Sequence, residues 1–261
     1  MTEASYGTIY LVGAGPGDPE LLTVKAQRLI GQCDALVYDS LVPQELLELA
    51  SKSCQLHFVG KRRGHHSAPQ LRTNAVLLEK ARNHLCVVRL KGGDPFLFGR
   101  GAEEAAYLEH HGVKVEVVPG VTAGIAVPAY SGIPVTHRLA GSSVTFVTGH
   151  EGIDKRRPCV NWKGLAKASD GLVIYMGIHN LQHIVDELIL GGLDPCTSSA
   201  VIQQGTVIGQ KCIKAPLKKL VQEVTKFKFG SPSIVMIGAY VDFQVESCAP
   251  QPANVTMPII F

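Results

Sequence analysis

The stretch Val87–Ala105, VVRLKGGDPFLFGRGAEEA, constrains the fold of this chain more than any other. It opens with an apolar run, which is typical of a parallel strand covered on both faces. Gly92 and Gly93 then let a ligand approach the backbone closely, and Asp94-Pro95 suits a turn or the start of a helix. Because ligands in open α/β sheets bind beyond the carboxyl ends of the strands, this turn predicts a ligand site.

An ordinary connection between a strand and a helix is the alternative for this stretch. It would account for one glycine and for Asp94-Pro95. It would not account for the second glycine together with Phe96, Phe98 and Arg100. We therefore interpret the stretch as the centre of a binding site in an α/β fold.

Composition narrows the class of protein. The chain has 261 residues, of which 46% are apolar and 18% charged, so one large or two modest well-cored domains are expected. A net charge of +3 is too small to favour a nucleic-acid partner, and no apolar run is long enough to span a membrane. The opening MTEASYG does not resemble a signal peptide, and the seven cysteines include no C-x-x-C pair. We therefore expect a cytoplasmic protein with reduced thiols.

Apolar runs that alternate with helical patterns predict an α/β fold. The first part of the chain predicts a mostly parallel sheet, with strands at residues 8–12, 35–38, 56–59, 87–90 and 113–118. After Gly120 the pattern begins again, with strands at 144–147, 172–175, 200–202 and 234–237. The sequence therefore predicts an N-terminal α/β lobe at residues 1–120, a C-terminal α/β lobe at 121–245 and a loose tail at 246–261.

A glycine-rich loop after the first strand makes a dinucleotide-binding protein one alternative. Its glycines are Gly13, Gly15 and Gly17, and Asp39 at the end of the second strand would bind the ribose. However, Pro16 removes a backbone N–H that a phosphate needs, and Asp18 places a carboxylate where the pyrophosphate would lie. The loop therefore favours a ligand without phosphates.

Several basic residues lie at or just beyond predicted strand ends, namely Lys61, Arg62, Arg63, Arg89, Lys91 and Arg100. Arg138 follows the first predicted helix of the C-terminal lobe. Solvated loops carry such residues individually, but together they predict a positive rim suited to a polycarboxylate, which arginine can bind in bidentate fashion. Arg89, Arg100 and Arg138 are the predicted substrate-binding residues of this rim.

Six motifs, in this order, resemble the tetrapyrrole methylase family. They are GAGPGDPELLT, YDSLV, VGKRRG, RLKGGDPFLFGRGAEE, VPGVTAG and GIPVTHR, and the resemblance extends from about Ile9 to Val241. The complete GGDPF-x-FGRG-x-EE run and the aspartate of YDSLV favour the branch of the family that methylates uroporphyrinogen III. Ala102 and Arg63 stand where glycine is common, and Arg63 could alter how the substrate is gripped.

The resemblance implies an enzyme that uses S-adenosylmethionine to methylate uroporphyrinogen III at C-2 and C-7. The product would be precorrin-2, formed through precorrin-1, for sirohaem or cobalamin biosynthesis. The resemblance also implies a homodimer with its active site in the cleft between the two lobes. Because a sulfonium is already an activated methyl donor, no metal is expected, and the protein must chiefly align the attacking carbon.

The resemblance also implies roles for individual residues. Asp39 in YDSLV and Lys61 in VGKR match the positions of the proton acceptor and the proton donor in the family. The residues expected to contact the donor are Pro16, Gly92, Gly93, Asp94, Leu97, Thr122, Ala123, Met176 and Gly205.

Three alternatives stay open. A methylase of a later corrin intermediate would share most of these motifs. A catalytically idle tetrapyrrole-binding protein would keep the basic rim but lose the donor pocket, which the intact Gly92, Gly93 and Thr122 argue against. A dinucleotide oxidoreductase is disfavoured by Pro16 and Asp18.

Overall fold

The structure, a computed structural model, describes residues 6–60, 70–150, 160–243 and 245. The chain divides into two compact units, Met1–Thr122 (unit 1) and Ala123–Phe261 (unit 2). Each unit has its own five-stranded sheet, so the predicted architecture of two α/β lobes is confirmed. The division follows Thr122, two residues after the predicted boundary, and the predicted tail at 246–261 lies outside the described residues.

The described part of unit 1 contains five strands and four helices. The strands are β1 (Thr8–Gly13), β2 (Ala35–Tyr38), β3 (Gln55–Phe58), β4 (Cys86–Lys91) and β5 (Val115–Val118). The helices are α1 (Val24–Gln32), α2 (Gln44–Leu47), α3 (Gln70–Asn83) and α4 (Gly101–His110). The strands form one parallel sheet in the order β3-β2-β4-β1-β5.

Both faces of the unit 1 sheet are covered, which explains the continuous apolar runs in its strands. On one face, Leu90 of β4 belongs to the same buried cluster as Ile30 of α1. On the other face, Val87 of β4 belongs to the same buried cluster as Leu77 of α3 and Leu108 of α4. Helices α1 and α4 therefore lie on opposite faces of the sheet.

The described part of unit 2 also contains five strands and four helices. The strands are β6 (Thr145–Thr148), β7 (Gly171–Tyr175), β8 (Ser198–Gln203), β9 (Lys211–Pro216) and β10 (Ser233–Gly238). The helices are α5 (Ala123–Tyr130), α6 (Trp162–Ala168), α7 (Leu181–Leu190) and α8 (Leu217–Lys226). The strand order is β6-β7-β10-β8-β9, in which β6 and β7 are parallel and the other neighbours are antiparallel.

The sequence does not predict two elements of unit 2, β9 and α6. Strand β9 lies at the edge of the sheet, and its side chains alternate between exposed and half-buried positions. Helix α6 has only seven residues and buries one of them, Trp162. Apolar periodicity is weak in elements that bury so little, and periodicity was the basis of the sequence expectation.

The helices are short. The longest in the described part, α3, has 14 residues. None of the helices in these ranges combines the length and the apolar character needed to cross a membrane.

Candidate active site

The carboxyl ends of β1 and β4 form a topological switch point in unit 1. These strands are neighbours in the sheet, and the helices α1 and α4 that follow them lie on opposite faces. Such an arrangement opens a crevice beyond the two strand ends, where ligands of open α/β sheets bind. The two glycine-rich segments of the sequence, GAGPGD after β1 and GGDP after β4, lie at this position.

Backbone hydrogen bonds join these two loops. The Gly15 N–H donates to Gly93 O at 3.2 Å, and the Gly93 N–H donates to Gly15 O at 2.6 Å. The loop after β5 packs against the end of β1, because a Cβ added to Gly13 would lie 2.6 Å from the nitrogen of Gly120. Only glycine fits so tight a contact between backbones. Pro16 is half-buried and directly follows the joined segment.

Asp94 ties the loop after β4 to the loop after β5. Its Oδ1 accepts a hydrogen bond from the Phe96 N–H at 2.8 Å, and its Oδ2 accepts one from the Gly120 N–H at 3.1 Å. Helix α4 begins only at Gly101, so Asp94 forms a turn and does not cap that helix. Each carboxylate oxygen retains a further lone pair that can accept from a ligand.

Left-handed backbone conformations concentrate in three segments that contain predicted site residues. Among the described residues, the non-glycine residues with positive φ are Phe98, Arg100, Met176, Gln204, Thr206 and Lys228. All but Lys228 belong to the FGRG, YMG and QQGT segments, which contain Arg100, Met176 and Gly205. Such conformations cost of order 1–3 kcal/mol each and cluster at ligand sites. Their positions therefore support a ligand-binding role for FGRG in unit 1 and for YMG and QQGT in unit 2.

Asp39 lies at the end of β2, and its side chain is 24% exposed. Its Oδ1 accepts from the Leu41 N–H at 3.1 Å, and its Oδ2 accepts from Arg89 Nη2 at 3.2 Å. Together with Lys52 and Phe58, Asp39 lines a cavity of ≈ 730 Å³ in unit 1. This volume is within the range of small-molecule sites. Asp39 thus combines a carboxylate held on two sides with a place in the lining of a cavity.

A buried ion cluster lies behind Asp39. The side chains of Arg89 and Lys91 are 5% exposed, and that of Glu104 is 1% exposed. Lys91 Nζ lies 3.2 Å from Glu104 Oε2, and Arg89 Nε lies 3.5 Å from the same oxygen. Burial, and next the neighbouring Arg89 charge, lower the pKa of Lys91.

Arg89, a predicted substrate-binding residue of the positive rim, is buried in the structure. Strand β4 continues to Lys91, so the side chains at positions 89 and 91 share the sheet face of Val87, which α3 and α4 cover. The guanidinium is paired with Asp39 and lies beside Glu104. It would have to leave both carboxylates to bind a carboxylate of a substrate.

The other predicted binding arginines are exposed. Arg100 Nη2 lies 2.6 Å from Glu103 Oε2, and the hydrogen bond from Arg100 lowers the pKa of Glu103. Arg138 lies in the loop between α5 and β6 of unit 2. Lys61, the predicted proton donor, lies outside the described residues.

In unit 2, α5 begins against the end of β7. The hydroxyl oxygen of Tyr175 accepts a hydrogen bond from the Gly124 N–H at 2.7 Å, which brings Ala123 close to this strand end. Met176 directly follows Tyr175, and 46% of it is exposed. Two of the predicted donor contacts, Ala123 and Met176, are therefore brought together.

Gly205 lies against the same helix. A Cβ at this position would overlap the side chain of Val127 in α5. The loop after Gly205 is fixed by Gln210, whose Oε1 accepts from the Thr206 N–H at 2.7 Å. Three predicted donor contacts of unit 2 are thus grouped at α5. Ala123 is its first residue, Met176 follows the tyrosine that binds its first turn, and Gly205 packs against Val127.

The remaining predicted donor contacts belong to unit 1. Leu97 lies between β4 and α4, Thr122 is the last residue of the unit, and both are half-buried. Within the described ranges, no three His, Cys, Asp or Glu side chains are grouped so that they could hold a metal ion.

Sequence reasoning misses two residues that position predicted site residues, Glu104 in unit 1 and Tyr175 in unit 2. A signal for Glu104 exists, because the two cations of a buried strand, Arg89 and Lys91, need a buried counter-charge. A terminal tyrosine of a strand carries no comparable signal, since its hydroxyl partner comes from a distant helix.

Known proteins resemble the chain over most of its length. The family model for tetrapyrrole (corrin/porphyrin) methylases matches residues 8–221. The chain is 49% identical over 237 residues to the uroporphyrinogen-III C-methyltransferase of Synechocystis, covering 91% of this chain and 90% of that protein. It is 46% identical over 237 residues to the S-adenosyl-L-methionine-dependent uroporphyrinogen III methyltransferase of Methanosarcina barkeri, covering 91% and 93%.

Solved structures of this type share the fold. Uroporphyrin-III C-methyl transferase from Thermus thermophilus, complexed with S-adenosyl homocysteine, has a TM-score of 0.77 and 37% identity and covers 90% of this chain and 94% of that one. A cobalt precorrin-4 methyltransferase has a TM-score of 0.80 and 26% identity, covering 93% and 99%. The motifs, the two sheets and these matches agree, and the chain therefore belongs to the tetrapyrrole methylase family.

Proposed function

We propose that this chain transfers methyl groups from S-adenosylmethionine to C-2 and C-7 of uroporphyrinogen III and forms precorrin-2 through precorrin-1. The observation that carries the proposal is the junction of the Gly15 and Gly93 loops at the switch point, beside a strand that ends in Asp39. The choice of acceptor rests on the relatives from Synechocystis and Methanosarcina barkeri, whose matched parts cover nine-tenths of each protein.

The residues present suit this donor. S-adenosylmethionine has no phosphate, in agreement with Pro16 and Asp18 in the loop after β1. Gly13, Gly93 and Gly120 pack backbone against backbone. No side chain from these three positions therefore occupies the space beyond the strand ends. An exposed apolar side chain such as Met176 can lie against an adenine ring. Ala123 and Gly205 are proposed as further donor contacts.

Asp39 is proposed as the base of the reaction. The donor supplies a methyl group that its sulfonium already activates, and the methylated ring must afterwards lose a proton. The Asp39 carboxylate can accept that proton, because it lines the cavity while Leu41 N–H and Arg89 hold it in place. A positioned base typically contributes ~10²–10⁴ in rate. Lys61 remains the proposed proton donor.

Arg100 and Arg138 are proposed to bind the carboxylates of the tetrapyrrole. Both are exposed, and a guanidinium can bind a carboxylate through two parallel hydrogen bonds. Arg100 already pairs with Glu103 in this way, with Nε donating to Oε1 and Nη2 donating to Oε2. The substrate would therefore exchange one carboxylate partner for another. We include a homodimer in the proposal, which light scattering of the purified chain will test.

The test of the proposed function is a product analysis. The purified chain is incubated with uroporphyrinogen III and methyl-labelled S-adenosylmethionine, and the product is analysed by mass spectrometry. We expect two labelled methyl groups per tetrapyrrole. Calorimetry with S-adenosylhomocysteine and NADH accompanies the assay. Binding of NADH but not of S-adenosylhomocysteine would contradict the proposed donor.

A later corrin intermediate is the second candidate acceptor. The TM-score of 0.80 with the cobalt precorrin-4 methyltransferase favours it, although the identity is only 26%. In a parallel assay, precorrin-2 therefore replaces uroporphyrinogen III as the acceptor. Methylation of precorrin-2 but not of uroporphyrinogen III would select this second candidate.

A further inference from the structure

Four charged residues lie together on one face of the unit 1 sheet, namely Asp39, Arg89, Lys91 and Glu104. The side chains of Arg89 and Lys91 are 5% exposed, and that of Glu104 is 1% exposed. Asp39 is the most exposed of the four at 24%, and it lines the cavity at the end of β2. Three buried charges therefore stand directly behind the proposed base.

Glu104 is held in this ion cluster by partners on both of its carboxylate oxygens. Its Oε2 lies 3.2 Å from Lys91 Nζ and 3.5 Å from Arg89 Nε. Its Oε1 accepts a hydrogen bond from Gln70 Nε2 at 2.9 Å, so α3 also holds it. A carboxylate with partners on both oxygens and almost no exposure has a single orientation.

Arg89 connects Glu104 to Asp39. Its Nη2 donates to Asp39 Oδ2 at 3.2 Å, and its Nη1 donates to Leu90 O at 2.9 Å. Its Nε faces Glu104 as an ion pair and makes no hydrogen bond to any residue that the structure describes. Because the guanidinium is planar and rigid, a group that fixes its Nε edge also fixes the Nη2 that holds Asp39.

The charges of the cluster balance in pairs. Arg89 and Lys91 carry two positive charges, and Glu104 and the Asp39 carboxylate carry two negative ones. Removing one member leaves an uncompensated charge in a buried place, which is strongly unfavourable. The ion cluster therefore acts as one unit, and only its Asp39 end is open to the cavity.

We propose that Glu104 is a positioning residue for methyl transfer, which holds the Asp39 carboxylate through Arg89 in the orientation that accepts the proton. The inference rests on the proposed function, because it takes Asp39 as the base. At 1% exposure, Glu104 is closed off from donor and acceptor, so its effect on the reaction passes through Arg89.

A purely structural ion cluster is the competing explanation. It would stabilise unit 1 without any influence on turnover by the folded enzyme. The two explanations differ in three measurable quantities. They are the single-turnover rate per folded molecule, the KM for the tetrapyrrole, and the dependence of the rate effect on Asp39.

The first experiment compares Glu104→Gln with Glu109→Gln, which makes the same change at an exposed position of α4. Thermal unfolding and titration with S-adenosylhomocysteine verify that each full-length variant is folded and binds the donor site. For Glu104→Gln we expect the single-turnover rate of methyl transfer to uroporphyrinogen III to fall at least ~10-fold, and single turnovers are used because proton removal need not limit the steady state. The KM for the tetrapyrrole should stay within about twofold, and Glu109→Gln should match the wild type.

A double-mutant cycle then asks whether Glu104 acts through Asp39. In an Asp39→Asn background, Glu104→Gln should change the single-turnover rate by less than about twofold, because the group that it positions is gone. The same fold-loss in both backgrounds would overturn the inference. So would a wild-type single-turnover rate in the folded single variant Glu104→Gln.

Arg89→Lys provides a second route if Glu104→Gln does not fold. Lysine keeps the positive charge but lacks the rigid fork that spans the two carboxylates, so the single-turnover rate should fall as in Glu104→Gln. A wild-type single-turnover rate in folded Arg89→Lys would overturn the inference. An inactive wild-type chain would refute the proposed function and the inference with it, whereas an active wild type with unaffected variants would refute the inference alone.

Discussion

Asp94 accepts a hydrogen bond from the backbone N–H of Gly120, with 3.1 Å between Oδ2 and the nitrogen. Its other oxygen accepts from the Phe96 N–H at 2.8 Å. One side chain thus joins the loops that follow β4 and β5, beyond the strand ends where the donor is proposed to bind. A role in shaping the loops and a role in contacting the donor therefore have to be separated experimentally.

Substitution of Asp94 is expected to weaken the donor site. In Asp94→Ala, two backbone N–H groups lose their acceptor, and the loops that form the site lose their connection. We expect the affinity for S-adenosylhomocysteine to fall by roughly 1–3 kcal/mol, measured by calorimetry. Asp194→Ala is the matched control, because Asp194 also accepts from a backbone N–H two residues later, that of Cys196 at 2.8 Å. Unchanged affinity in folded Asp94→Ala would leave Asp94 with a structural role only.

Arg100 is expected to affect the tetrapyrrole and not the donor. Because its φ is 60°, asparagine is a better replacement than alanine, since asparagine tolerates the left-handed region. Arg100→Asn should raise the KM for uroporphyrinogen III at least about tenfold, through the loss of a charge-assisted hydrogen bond. The thermal midpoint should hardly change, because the Arg100–Glu103 pair is 56% and 58% exposed and contributes little. A loss of donor affinity would instead assign Arg100 to the donor site.

Lys91 is expected to make stability depend on alkaline pH. Burial lowers its pKa below the ordinary value of 10.5, so the unfolded chain binds more protons in the window below that value. The free energy of unfolding should therefore rise with pH across this window. Urea unfolding at several pH values should show this rise for the wild type and a smaller rise for Lys91→Met. Equal slopes in the two proteins would contradict the lowered pKa.

The sequence predicts the structure best where a local pattern is typical of only one structure. The run from Val87 to Gly93 predicts a covered parallel strand and a close-approach turn, and β4 with its joined loop confirms both. The six motifs identify the family, because their order and spacing reflect loops at the ends of different strands. Local patterns of this kind can be interpreted without any knowledge of tertiary contacts.

The sequence is least informative where a partner comes from elsewhere in the fold. The sequence places Arg89 in a positive rim that binds the substrate, because nothing in its local pattern indicates that the guanidinium is buried. Its burial depends on Glu104, which α4 brings to the sheet from 15 residues further along the chain. Strand β9 was missed for a related reason, since an edge strand with polar side chains has pairing but little apolar pattern.

The final prediction concerns the proposed base. Asp39 Oδ1 accepts from the Leu41 N–H, and Oδ2 accepts from Arg89 Nη2. In Asp39→Asn the oxygen can keep the bond to Leu41, but the amide nitrogen then faces Arg89, donor against donor. We therefore expect a loss of stability of about 1–3 kcal/mol in Asp39→Asn, measured by urea unfolding.

Catalysis by Asp39→Asn should suffer more than donor binding. An amide cannot accept the proton as a carboxylate does, so single-turnover formation of precorrin-2 should slow by at least an order of magnitude, about 1.4 kcal/mol of barrier. Single-turnover rates are required, because proton removal need not limit the steady state. The affinity for S-adenosylhomocysteine should stay unchanged, and Glu45→Gln, the same change at an exposed residue of α2, should match the wild type. Wild-type single-turnover rates across neutral pH in folded Asp39→Asn would leave Asp39 as a turn residue that pairs with Arg89.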